Sequence, residues 1–451
     1  MEPRREAYSF AIAEEPLPWD TSLRIALWAS SDADNSKAYD AIAGTIRELT
    51  AATASLDARA KAETVLEFMH RRFLRGYSDR QTRVDTIVFS GQFNCVSSAA
   101  LYIVLGTAVG LDVTGVMTKD HAFCSVRIGI DFVDVETTSL YGVDPGSKKE
   151  FHDSFGRATG FAYVPPRNYR DRTPIGRKAL LSLILSNRSA DLESQGRYSE
   201  AVGLAADRWA LLGGDGGTGR EDLVARLLNY GTSLVNSGNE PAALDWALKA
   251  VSQYGEDRRW DNFTHSAANN LLVKHIRGGR IVQARAELGR LGPLLDRSAG
   301  RELDRLVTDA ELVEAAEVSV RSGDPAIFTA KAASARSAAA VPHNRIREIE
   351  IFATLKYTER IAREKGWAAA YAETEQAIAR IGSDRKLEEA LRAYRLNRIA
   401  ELHNAFARFF NSKKYAEAYD AAAAAVAEFP DEPRLRTDQD AAERALRSVG
   451  R

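Results

Sequence analysis

The stretch NCVSSAALYIVLGTAVGLDVTGVMTKDHAFCSVRIGIDFVDVETT, Asn94 to Thr138, changes its hydrophobic period twice and decides the fold. From Val96 to Val109 it is almost wholly apolar. Ala99, Tyr102, Ile103 and Gly106 recur at helical spacing, and Leu105 and Val109 broaden that surface. Gly110 stops the helix, and a short strand follows near Asp112 to Val116. HAFCSVRI and IDFVDVET then flank Gly129 with a period of two, which reads as an antiparallel hairpin. A helix feeding such strands is an α+β pattern.

Cys95 stands where that helix begins. Asn94 suits an N-cap, so Cys95 falls in the first turn, beside unpaired backbone N–H groups. A cysteine attacks carbonyls as thiolate, which a helix amino terminus and a neighbouring imidazolium both favour. From His121 to Ile128 the even positions carry Ala, Cys, Val and Ile and face a core, whereas the odd ones carry His, Phe, Ser and Arg. Cys124 is therefore expected to be inert and buried, and His121 lies on the polar face as the candidate base.

In the next strand Phe132, Asp134 and Glu136 share one face. A tight turn about Gly129 sets Glu136 opposite His121 and Asp134 opposite Phe123. Pairing thus favours Glu136 as the carboxylate that orients the imidazole, with Asp134 the alternative. The plainer readings are an inert core Cys95, a solvated His121 and a polar hairpin face paired with Arg127.

Composition removes several classes. Of 451 residues, 27% are charged, and the net charge is -1, so no global field recruits nucleic acid or anionic lipid. Two cysteines cannot build a disulfide framework. The histidines are scattered, without HExxH or CxxC, so neither metal nor cofactor is expected. A metal-dependent hydrolase using His121, His152, Asp134 and Asp144 fits no ligand spacing and leaves Cys95 without a role. No run approaches the roughly 20 apolar residues that span a bilayer. MEPRREAYSFAIAEEPLPWD lacks the apolar centre of a signal peptide. A cytoplasmic protein is the default, with export open if the true amino terminus lies upstream.

After the Pro-containing segment YVPPRNYRDRTPIGR the chain is nearly continuous helix. GRYSEA at Gly196, GNEPAA at Gly238 and GRIVQA at Gly279 each place Ala five residues after Gly, and KKYAEA, Lys413 to Ala418, puts Lys in the glycine position. Glycine permits the tight turn between antiparallel helices, and alanine their close approach. GGDGGTG, 213–219, reads as a loop between helices; it lacks the Lys-Ser/Thr ending of a phosphate loop. The pattern, clearest in NYGTSLVNSGNEPAALDWALKAV at 229–251, resembles tetratricopeptide-type repeats, which commonly bind protein or peptide partners. A plain helical bundle is the simpler alternative.

The segment from Asn94 to Thr138 resembles the core of the transglutaminase-like superfamily, whose members carry a papain-like Cys-His-acid triad on an α+β fold. Cys95 matches the nucleophile, Gly110 and Leu111 the turn after the helix, and His121 with Ala122 the histidine motif. Phe123 stands where an aromatic is usual. Val135, Glu136, Thr137 and Thr138 lie over the acidic motif, with Glu136 in place of Asp and Thr137 in place of Pro. YGVDPGSKKEF, 141–151, is similar to the tail of bacterial relatives that join this core to helical repeats.

The resemblance implies an α+β transglutaminase-like (papain-like) domain over 56–170, preceded by a helical lead-in over 1–55 and followed by all-α tetratricopeptide-like repeats over 171–451. It further implies a cysteine peptidase or amidase in which His121 deprotonates Cys95 and Glu136 holds the imidazole. The Cys95 N–H and a second donor, with Gln92 a candidate, would stabilise the oxyanion. A lysine acceptor would instead give a cross-linking transglutaminase. The rival is a noncatalytic scaffold that uses only the helical repeats.

Overall fold

In the computed structural model, which describes residues 2–214, 216–292 and 295–449, a mixed α/β portion is followed by a long all-α region. The mixed portion opens with α1 (Arg5–Ala11), α2 (Trp19–Ser30), α3 (Ser36–Thr53) and α4 (Ala58–Arg72). Next come β1 (Gly76–Tyr77), α5 (Val84–Ser90), β2 (Gln92–Phe93) and α6 (Cys95–Ala108). Strands β3 (Val113–Met117), β4 (Ala122–Ile128) and β5 (Asp131–Val135) follow, then α7 (Lys149–Thr159) and β6 (Thr173–Ile175).

Thereafter helices run in pairs: α8 (Arg177–Ser194) with α9 (Tyr198–Leu211), and α10 (Thr218–Asn236) with α11 (Glu240–Tyr254). These belong with the mixed portion to one compact unit, Met1–Glu256. A second unit, Asp257–Arg451, holds α12 (Arg258–Arg277) with α13 (Ile281–Leu291), and α14 (Arg297–Ser322) with α15 (Pro325–Ser337). It continues with α16 (His343–Lys365) and α17 (Trp367–Ile381), α18 (Arg385–Asn411) and α19 (Tyr415–Glu428), then α20 (Pro433–Val449).

The apolar run after Asn94 forms the centre of the first unit. Every residue of α6 from Cys95 to Gly106 is buried, because α2, α4, α5 and α8 and the strands β3 and β4 all pack around it. Sequence periodicity suggested a stripe; a helix apolar on all faces instead has to be enclosed on all of them. Leu101, Ile103, Val104 and Leu105 are each fully buried, and each such side chain contributes about 1.5–3 kcal/mol relative to exposure.

The four-stranded sheet has the order β5-β4-β3-β6, with antiparallel neighbours. The hairpin register differs from the expected one. Ile128 pairs with Asp131 and Ser125 with Asp134, so the two turn residues are Gly129 and Ile130, not Ile128 and Gly129. Gly129, at φ 65, takes the first turn position, which favours a residue with that freedom. Moving the turn by one residue shifts the pairing by two, so each side chain keeps its face.

Two further features depart from the sequence reading. β6 joins the sheet edge through Thr173–Ile175, where Pro174 needs no ladder N–H. The expected polar face of the hairpin is also covered, and Phe123 and Ser125 are as buried as Cys124 and Val126. Phe123 lies against the Tyr163 ring and under the Arg172 guanidinium, because the chain after α7 folds back across the hairpin.

In the helical pairs the recurrent glycines do what their spacing implied. Gly196, Gly238, Gly279 and Lys413 all have positive φ, between 59° and 77°, in the turn within a pair. Ala201, Ala243, Ala284 and Ala418, five residues on, are buried where the second helix meets the first. The pair α14–α15 escaped the pattern because Gly323 is followed at that distance by the larger Phe328, also buried. The glycine-rich stretch joins α9 to α10, with Asp215 outside the described residues.

Lys413 is a side-chain-bearing residue in a left-handed turn, which costs about 1–2 kcal/mol, partly offset by the chain entropy that glycine would lose. Lys413→Gly is expected to stabilise the protein by about 0.5–1 kcal/mol, read as a higher urea midpoint at unchanged slope.

Candidate active site

Asn94 caps α6 through a reciprocal pair of bonds: its side chain accepts from the Ser97 N–H at 3.0 Å, and the Asn94 N–H donates to Ser97 Oγ at 3.0 Å. Cys95 is thereby the first helical residue, as expected, but it is only 8% exposed. His121 sits immediately before β4, its carbonyl accepting from the Thr118 N–H at 2.8 Å, and is 7% exposed. Glu136 follows β5 directly and is fully buried.

These three side chains come together. His121 Nε2 lies 2.7 Å from Glu136 Oε2. The other carboxylate oxygen, Oε1, accepts from the Thr138 N–H at 3.2 Å and the Thr138 hydroxyl at 2.8 Å. Glu136 is thus held at both oxygens, and His121 Nε2 is committed to it as donor. That leaves Nδ1 buried and without an aligned hydrogen-bond partner among the described residues. Cys95 nevertheless acts on the ring. Burial pulls the imidazole pKa down, but the Glu136 charge, hydrogen bonding with Cys95 and Glu136, and the Cys95 charge outweigh it and lift it to about 10. The thiol thus acts on the imidazole without an aligned hydrogen bond between them.

Asp134 is elsewhere engaged. Its Oδ1 accepts from Arg172 Nη2 at 2.6 Å, and its Oδ2 from Arg172 Nη1 at 2.8 Å and from the Tyr163 hydroxyl at 2.5 Å. It ties the returning chain to the hairpin and leaves His121 to Glu136. Gln92 is exposed, and its amide lies over Gly76.

Several neighbours were not foreseen. Thr138 holds the carboxylate; Ser98 Oγ meets Thr137 Oγ1 at 2.8 Å and ties α6 to the loop after β5. His70 Nε2 lies 3.0 Å from the Thr137 carbonyl, and burial keeps His70 below the usual imidazole range. The Phe161 and Phe155 rings stand 5.1 and 5.5 Å from the His121 ring. The adjacent threonines were a usable signal, since a hydroxyl two residues after a carboxylate can fold back on it. The phenylalanines carried none, because nothing periodic links them to His121.

Two sizeable cavities lie away from this cluster. One of about 630 Å³ is lined by Trp28, Asp32 and Tyr39 among others, and one of about 470 Å³ by Arg80, Asn187 and Arg188; neither reaches Cys95 or His121. Among the described residues no group of three or more His, Cys, Asp or Glu side chains is arranged to hold a metal ion, and no helix is long and apolar enough to cross a membrane. No family model, no curated protein and no solved structure matches the chain. Chemically, a thiol at a helix amino terminus, beside an imidazole whose far nitrogen a carboxylate holds, can pass its proton to that ring and take it back.

The loop carrying Glu136 depends on Gly142. The Glu136 N–H donates to the Gly142 carbonyl at 2.8 Å, and a Cβ on Gly142 would stand 1.8 Å from the Glu136 carbonyl oxygen. Gly142→Ala is expected to cost about 3 kcal/mol or more in urea unfolding. The pH dependence has a definite sign. Folding raises the His121 pKa above its ordinary value near 6.5, so its contribution to stability is complete below that pH and is lost as pH rises through about 10. The stability gap between wild type and His121→Gln should therefore be widest near pH 6 and narrow towards pH 10 in parallel denaturation series.

Proposed function

We propose that Cys95 is the nucleophile of an acyl-transfer enzyme, a cysteine peptidase or amidase built on a transglutaminase-like, papain-like core. The carrying observation is the His121–Glu136 bond of 2.7 Å, with Glu136 anchored by Thr138 and with Nδ1 without a hydrogen-bond partner among the described residues. The resemblance of Asn94–Thr138 to that superfamily supports the same roles.

His121 takes the Cys95 proton. The thiolate adds to an amide carbonyl, the S–C bond forms, and the carbonyl π pair moves onto oxygen. Collapse of this oxyanion breaks the C–N bond, and the imidazolium gives its proton to the departing amine. Water then attacks the thioester, His121 accepts a proton, and cleavage of the C–S bond releases the acid and the thiol. Glu136 keeps the ring oriented and stabilises its charged form throughout. The helical pairs, read as tetratricopeptide-like, would hold a protein or peptide, as substrate or as partner.

Low exposure at Cys95 and His121 favours a second reading, a noncatalytic interaction scaffold with a closed thiol site. Alkylation separates the two. On the catalytic reading, iodoacetamide at pH 6 modifies Cys95 at least about ten-fold faster in wild type than in His121→Ala, by site-resolved mass spectrometry, because the imidazolium favours the thiolate. Equal rates in the two proteins would leave the scaffold.

A further inference from the structure

Strand β1 pairs in parallel with β2, Tyr77 against Phe93 and Gly76 against Gln92. Paired residues share a face, so the two faces of this ribbon have different fates. Gln92 and Gly76 turn one way, with Gln92 exposed and its amide folded over the glycine. Phe93 and Tyr77 turn the other way. The Phe93 ring meets Tyr77 edge-on at 5.9 Å and His70 at 6.2 Å, and His70 in turn contacts the Thr137 carbonyl, next to Glu136. Phe93 is also two residues before Cys95. The Tyr77 ring is thus set on the Cys95 and Glu136 side of the ribbon.

Tyr77 has a polar end with nothing to hold. Its hydroxyl makes no hydrogen bond to any described residue, although the side chain is half-buried. Burial first, and then the charges of Cys95 and Glu136, push the phenol well above its usual range, so it stays protonated and able to donate. Gln92, on the opposite face, is less well set for that task.

Building on the acyl-transfer reading above, we infer that the Tyr77 hydroxyl is the side-chain donor that stabilises the oxyanion formed when the Cys95 sulfur adds to a carbonyl. The other donor is the Cys95 backbone N–H, free at the start of α6. Such a donor matters only where negative charge develops on oxygen. It has no part in alkylation, in which sulfur displaces iodide from carbon and no oxyanion forms.

That difference supplies the test. p-Nitrophenyl acetate acylates a thiolate: the S–C bond forms, the carbonyl pair moves to oxygen and returns, and p-nitrophenolate leaves with its electron pair. Iodoacetamide alkylates the same sulfur. Both reactions would be followed at Cys95 by peptide mass spectrometry in full-length wild type, Tyr77→Phe and Gln92→Ala. The expected result is a Tyr77→Phe acylation rate lower by about 10- to 100-fold, with alkylation rate, alkylation pH profile and melting temperature unchanged, and little effect of Gln92→Ala.

Wild-type acylation in Tyr77→Phe would overturn the assignment while leaving Cys95 chemistry in place. Equal slowing of both reactions would overturn it too, since Tyr77 would then be acting on the thiol or the fold. Should wild-type Cys95 alkylate no faster than in His121→Ala, the acyl-transfer reading fails first and the role of Tyr77 with it. Tyr77→His, which restores an N–H donor, provides a second variant: partial recovery of acylation over Tyr77→Phe supports the role, and no recovery with normal alkylation counts against it.

Discussion

The first unit is organised by one constraint: α6 is apolar around its whole circumference and must be enclosed. Helices from before and after it in sequence, together with two strands, supply the enclosure. The core is consequently continuous from Leu17 through Leu185, with Leu204 and Leu211 joined to it. A helix held this tightly has a fixed axis and a fixed first turn. The capping box at Asn94 and Ser97 then sets where the Cys95 sulfur emerges. The position of the thiol is in this sense a by-product of core packing, with the cap as its fine adjustment.

Burial has an electrostatic price at the same place. His121 and Glu136 are removed from water, and a charged pair in such surroundings persists only when each partner is satisfied. Glu136 meets that requirement through Thr138 and through the Gly142-dependent loop that brings its backbone into position. His121 meets half of it, leaving Nδ1 as the one unanswered polar atom of the pair. Cys95 acts on the same ring without an aligned hydrogen bond to it. The bidentate Arg172–Asp134 bridge, buried on both sides, does separate work by pinning the chain that carries Phe161 across the imidazole.

The all-α region follows simpler rules. Its helix pairs turn on residues of positive φ and close on small side chains, and this recurs where the glycine is replaced by Lys413. Larger residues at the closing position, as at Phe328, are accommodated without losing the pair. The positive-φ turn is thus kept where the alanine is not, although glycines of positive φ, such as Gly255 and Gly382, also stand between pairs.

Sequence alone determined what depends on neighbours along the chain. The cap at Asn94, the helix after it, the hairpin about Gly129, the burial of Cys124 and the turns at Gly196, Gly238 and Gly279 all rest on local spacing and backbone freedom. It also put Glu136 and His121 on one face, since an error of two in register leaves faces unchanged. Tertiary structure decided everything that arrives from a distance. Only packing enclosed α6 on every side, added β6 with its proline to the sheet edge, and folded Phe155, Phe161 and Arg172 over the hairpin. Only the three-dimensional arrangement separated Asp134 from Glu136, because Arg172, remote in sequence, claimed one carboxylate and left the other to the imidazole.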